Sequence, residues 1–179
     1  MTHVTIVASP AHLDLIWPDE EACAATAALL AQALRPGLLA GGSFFIELDG
    51  TLGAGKTTFT RHLLRTLGVQ GRIKSPSYAV VEPHELPSMS IQHFDFYRFN
   101  DPQEWEDAGF RDLFAAPGLK LVEWPDKAAG LLPRPDLRIH INPQSNEQRL
   151  VQAQAFSAAG QAALDVLPVK NQAGVPAHG

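Results

Sequence analysis

The feature that most constrains this chain is the run Gly50-Thr51-Leu52-Gly53-Ala54-Gly55-Lys56-Thr57. An apolar stretch, Phe44-Phe45-Ile46-Glu47-Leu48, leads straight into it and reads as a buried strand. Out of it runs a segment of helical spacing from Gly55 to Leu67, closed by Gly68 in the usual C-terminal glycine position. Glycine, four residues, glycine, lysine and then a hydroxyl residue is the spacing of a phosphate-binding loop, and the strand before and helix after are the context it requires. A glycine-rich turn with an exposed lysine would explain neither Thr57 nor that frame.

Each position has a physical reason. Phosphate oxygens need several backbone N–H donors converging on them, and side chains would block the approach. Gly50, Gly53 and Gly55 clear that space, while the helix beginning near Gly55 adds the positive end of its dipole. Lys56 then reaches the β- and γ-phosphates as a point charge, and the Thr57 hydroxyl is a ligand for Mg²⁺. The reading is of a chain that binds ATP on residues 50–57 and hydrolyses it with magnesium.

The rest of the chain fits an α/β fold, a mixed, largely parallel sheet flanked by helices. Thr2 to Val7 alternates like an edge strand, and Asp19, Glu20 and Glu21 start a helix that Pro36-Gly37 should stop. Tyr78–Glu82 and Ser90–Phe96 read as strands around a loop from Pro83 to Ser88. Asp101-Pro102-Gln103-Glu104 opens a helix that ends by Gly109. Leu119–Glu123 is a further core strand, Leu137, Ile139 and Ile141 alternate in another, and Gln148–Phe156 pairs with it. Residues 1–167 are expected to form a single domain and 168–179 a disordered tail.

Composition narrows the class. With 14 Lys plus Arg against 19 Asp plus Glu, the formal net charge is -5, which argues against a strong unaided grip on nucleic acid. The single cysteine, Cys23, cannot form an internal bridge. Thr2–Trp17 lacks a basic start and carries His12 and Asp14 where a leader would need apolar residues. No stretch reads as long and apolar enough for a bilayer, so the expected address is cytoplasmic, away from membranes.

A magnesium site needs a second group, usually an acid at the end of a neighbouring buried strand. Asp95, closing Ile91-Gln92-His93-Phe94-Asp95, meets that need, through a metal-bound water. Glu123 closes Leu119-Lys120-Leu121-Val122-Glu123 and faces the ligand crevice of a parallel sheet. It either orients the water that attacks the γ-phosphate or is a glutamate satisfied by solvent at a strand end. Ser75-Pro76-Ser77-Tyr78 is either a segment that senses the γ-phosphate or a plain turn. His84 and His93 meet no recognised transition-metal spacing, and His93 is read as a polar neighbour of the magnesium site.

Taken together, the loop at 50–58, Lys-Ser-Pro-Ser-Tyr (74–78), His-Phe-Asp-Phe-Tyr-Arg (93–98), Gly109 with Asp112 and Phe114, and Val-Glu-Trp-Pro (122–125) resemble the TsaE family in residue and order. The resemblance implies a compact P-loop ATPase that supports threonylcarbamoylation of adenosine 37 in certain tRNAs. It also implies partnership with a TsaD–TsaB complex, tRNA being reached through that complex. Lys56 and Thr57 match the family's phosphate and magnesium residues, Asp95 its metal-linked acid, and Glu123 its candidate for water activation. Thr58 continues the loop, and Trp124 falls where the family keeps an aromatic close to the site. Thr51 stands where the family usually has aspartate, Ser77 where it has threonine, and Cys23 and Ala27 where its first helix carries threonine and glycine. The last two put any nucleotide-base contact from that helix in doubt.

Two other classes share such a loop. A small-molecule kinase would need an arginine-bearing lid, and only Arg98 and Arg111 flank the exit of the Asp95 strand. A non-catalytic nucleotide switch would bind without turnover. No Asn-Lys-x-Asp segment occurs to read guanine, so a GTPase is disfavoured.

Overall fold

The computed structural model describes residues 11–76 and 78–168. The first described strand, β1 (His12–Trp17), turns Leu15 and Trp17 inward. The strand expected over Thr2–Val7 lies outside the described residues, as do Ser77 and the tail from 169 to 179. Helix α1 (Glu20–Leu39) is capped by Asp19, whose carboxylate accepts the Ala22 N–H at 2.9 Å. It does not stop at Pro36-Gly37 as the sequence suggests. The helix runs one turn past Pro36 although that residue can donate no hydrogen bond to the preceding turn. Leu38 beyond it is buried in the core, and the Pro36 carbonyl still takes the Ala40 N–H at 3.1 Å.

By length and composition α1 could cross a membrane, which corrects the expectation that no stretch could. Here it packs as a core helix. Cys23, Ala27, Leu30, Ala31, Leu34 and Leu38 are buried, and Thr26 takes the indole N–H of Trp17 at 2.9 Å. Trp17 in turn stacks on Phe59 of α2 (Lys56–Leu67), tying β1, α1 and α2 together.

Strand β2 (Ser43–Asp49) is the centre of a seven-stranded sheet ordered β1-β7-β6-β2-β5-β4-β3. It pairs in parallel with β5 (Gly118–Glu123) and β6 (Leu137–Pro143), and β5 pairs in parallel with β4 (Met89–Asp95). The flanks are antiparallel. β7 (Arg149–Ala155) runs against β6 and β1, and β3 (Val81–Leu86) against β4. The mixed α/β sheet expected from the sequence is therefore present, with its parallel part at the centre.

β3 begins and ends later than the sequence suggests. Pro83 lies inside it opposite Gln92, so the connection shrinks to Pro87 and Ser88. An edge strand tolerates proline because half of its N–H groups have no neighbouring strand to bond.

Helices cover both faces. On one side α1, α2 and α5 (Ala158–Asp165) bury Ile46, Leu48, Ile91, Leu119, Leu121 and Ile139. On the other, α3 (Pro102–Asp107), α4 (Phe110–Ala115) and a short 3-10 turn at Pro125–Ala128 enclose an aromatic cluster. Phe94 is packed inside it, with ring centroids 4.8 Å from Phe114 and 5.5 Å from Phe110. Side chains alternate along a strand, so burying Phe94 on this face directs its neighbours His93 and Asp95 to the other.

Candidate functional site

β2, β4 and β5 run parallel and end at the same rim of the sheet. The phosphate-loop sequence leaves β2 there, and the register sets Asp95 of β4 beside Glu123 of β5, with Leu48 on the other flank of Glu123. Loop residues Leu52, Gly53, Ala54, Gly55, Lys56, Thr57 and Thr58 line a cleft with Asp95, Glu123 and Trp124. Gly50 and Thr51 do not line it. Their carbonyls instead accept hydrogen bonds from the Lys56 ammonium at 2.6 and 2.8 Å.

The loop is held at both ends by side chains that sequence reasoning missed. Asp49 accepts the Gly50 N–H on Oδ1 at 2.9 Å and bonds the His140 ring through Oδ2 at 2.8 Å. Arg149 donates Nε–H to the Ala54 carbonyl at 3.0 Å. The position of Asp49 directly before the first glycine was a usable signal; Arg149, far along the chain, offered none. Gly50 has φ +148°, and a Cβ there would fall 2.5 Å from the Ile141 carbonyl oxygen. The close approach of β6 thus requires glycine at that position.

Lys56 is buried, with its ammonium 4.1 Å from the Trp124 ring centroid. Burial pushes its pKa below the usual lysine value, against the opposing pull of Glu123, Asp49 and Asp95. Trp124 reaches over the lysine from a left-handed backbone, φ 57°, directly after Glu123. Its other neighbour is Tyr97, at 5.0 Å between centroids.

The two acids differ in their partners. Asp95 takes the Tyr97 N–H on Oδ1 at 2.9 Å and the Ser75 hydroxyl on Oδ2. Glu123 takes the Thr57 hydroxyl on Oε1 at 2.7 Å and His93 Nε2 on Oε2 at 2.6 Å. Thr57 therefore touches Glu123 and not Asp95. A hydroxyl that donates its one hydrogen keeps its lone pairs for another ligand. The segment before β3 is tied to the site through Ser75 and through Val80, whose carbonyl accepts the Asp95 N–H at 2.8 Å.

A second recess opens on the other side of the loop, lined by Trp17, Asp19, Cys23, Thr58 and Arg149 among others. Cys23 does face this space, whereas Ala27 is fully buried and does not line it.

A central parallel strand, a glycine loop with its lysine and threonine, and acids at the ends of neighbouring strands define a P-loop protein. The chain belongs to the TsaE family: the family model described as threonylcarbamoyl adenosine biosynthesis protein TsaE matches residues 17–151. It is similar to the tRNA threonylcarbamoyladenosine biosynthesis protein TsaE of Haemophilus influenzae, 44% identical over 100 residues. That match spans 56% of this chain and 63% of the relative. The Bacillus subtilis protein of the same name is 33% identical over 142 residues, 79% of this chain and 83% of the relative. The crystal structure of Bacillus subtilis YdiB superposes with a TM-score of 0.69 at 25% identity, covering 88% of this chain and 94% of that one.

Proposed function

We propose that this chain is a magnesium-dependent ATPase that supports threonylcarbamoylation of adenosine 37 in tRNA, acting with a TsaD–TsaB type complex. The observation that carries the ATPase reading is the convergence of Lys56, Thr57, Asp95 and Glu123 on one cleft at the strand ends. Family membership and the names of the relatives support the tRNA setting.

The residues fit the groups they would hold. A hydroxyl and a carboxylate are the hard oxygen ligands Mg²⁺ prefers. Among the described residues no trio of His, Cys, Asp or Glu offers the cage a transition metal would want. Thr57 and Asp95, the latter through water, would hold Mg²⁺, which would supply neutralisation of phosphate charge. Lys56 and the loop N–H groups bind the phosphates. Glu123 has two partners but about four lone-pair sites, so it retains acceptor capacity toward the attacking water. Base and ribose would occupy the recess beside Cys23.

The kinase alternative gains nothing from the arginines. Arg98 lies over Tyr78 at 4.7 Å and Arg111 pairs with Glu106 at 2.7 Å, and neither lines the cleft. Phosphate release from ATP by the full-length protein, with Mg²⁺ or with chelator, and with or without the partner complex, tests the proposal. Weak turnover alone and a rise on adding the partners are expected. Tight ATP binding with no hydrolysis in any condition would refute it and favour the nucleotide switch. Glu123→Gln should lower turnover at an unchanged magnesium requirement, and Asp95→Asn should raise that requirement.

A further inference from the structure

We infer that His93 is a positioning residue for Glu123, fixing the orientation in which its carboxylate meets the attacking water. The inference rests on the reading of Glu123 as the water-handling acid. His93 is fully buried on β4, and its Nε2 lies 2.6 Å from Oε2 of Glu123, itself 2% exposed. Strand register explains the contact: His93 pairs with Leu121, and Glu123 lies two residues further along β5 on the same face.

A carboxylate only accepts, so Nε2 carries the hydrogen of this bond. The other ring nitrogen, Nδ1, has no partner among the described residues. A leucine of similar bulk would avoid burying that bare nitrogen, so the imidazole is a poor choice for packing alone. Among the described residues its one side-chain hydrogen bond is with Glu123.

With Thr57 on Oε1 and His93 on Oε2, both ends of the carboxylate are pinned and its plane is fixed. The terminal torsion of a glutamate is otherwise broad. Losing one pin lets the carboxylate turn about the Thr57 bond, and misplacement of a catalytic group by about 1 Å costs about 100-fold in rate. His93 is fully buried and does not line the cleft, so nucleotide affinity should be spared.

The test compares His93→Leu, His93→Gln and His93→Asn in the full chain. ATP turnover is followed by phosphate release, and affinity by a fluorescent ATP analogue. His93→Leu should lose about 10- to 100-fold in kcat with KM for ATP within about threefold. His93→Gln, whose amide reaches where Nε2 was, should recover to within about fivefold, and His93→Asn, one bond shorter, should not. In a Glu123→Ala background His93→Leu should cost nothing more. If Glu123→Ala loses turnover while His93→Leu stays within about twofold of wild type, the inference fails and the ATPase reading stands. If Glu123→Ala keeps wild-type turnover, the role given to Glu123 fails and this inference with it. Should His93→Leu not fold, the Gln and Asn pair decides: equal kcat for the two overturns the positioning role.

Discussion

Gly50→Ala is the sharpest test of the loop's construction. The new methyl would sit 2.5 Å from the Ile141 carbonyl oxygen and 3.1 Å from the Ala54 methyl, on a backbone at φ +148°. Ile141 cannot easily give way, because β6 is held between β2 and β7. The backbone conformation costs about 1–3 kcal/mol for a non-glycine residue. Forcing the neighbours apart costs about 1–3 kcal/mol more. A total of about 4 kcal/mol is a large part of a domain's stability, and at about 2–4 °C per kcal/mol it lowers the melting temperature by about 8–16 °C. Gly53→Ala is the control. Its φ is +76°, but its added methyl meets nothing within 4 Å. Only the left-handed backbone penalty of about 1–2 kcal/mol applies, a fall of about 2–8 °C. Melting curves by circular dichroism compare the two. A Gly50→Ala protein that melts within about 2 °C of wild type, or no lower than Gly53→Ala, would refute the close-approach argument.

Burial, with Glu20 adding to it and Arg149 opposing, pushes the Cys23 thiol up to about 12, so it should resist a thiol reagent at pH 8 in the folded protein. It should react once the chain is unfolded in guanidinium; rapid labelling of the native state would contradict the burial. Burial also raises Glu47 above the ordinary 4.5, partly offset by Arg138. The native state then holds that proton more tightly than the unfolded chain, so the contribution of Glu47 is full below pH 4.5 and is lost as pH rises through the native value. The melting temperature of Glu47→Gln relative to wild type should therefore climb between pH 4 and pH 7, and a flat difference would show the direction to be wrong. Thr57→Val removes the hydroxyl but keeps the bulk. It should raise the Mg²⁺ needed for half-maximal hydrolysis by about tenfold or more, while affinity for metal-free nucleotide, measured by fluorescence titration, moves little.

Local chemistry made some of this legible from sequence. The strand into Gly50, the helix out of Gly55, the cap at Asp101 and the pairing of the last two strands are signals carried by neighbouring residues. What escaped depended on distant ones. Pro83 reads as a loop residue until the strand around it is known to be an edge. Pro36 reads as a stop until Leu38, beyond it, is known to be buried against the core. His12 and Asp14 hid β1, although Leu13, Leu15 and Trp17 alternate through it. At the cleft, the acids at 95 and 123 could be named because each ends an apolar strand. Their unequal partners could not, since the contacts of Glu123 with Thr57 and His93 join residues 66 and 30 positions apart.

Pro83 also bears on how the molecule behaves in a crowd. A bare sheet edge is a template on which other chains can crystallise as extra strands. β3 presents Pro83 together with Glu82 and Glu85, one missing donor and two negative charges within a six-residue strand. That edge of the sheet is therefore ill suited to growth by strand accretion.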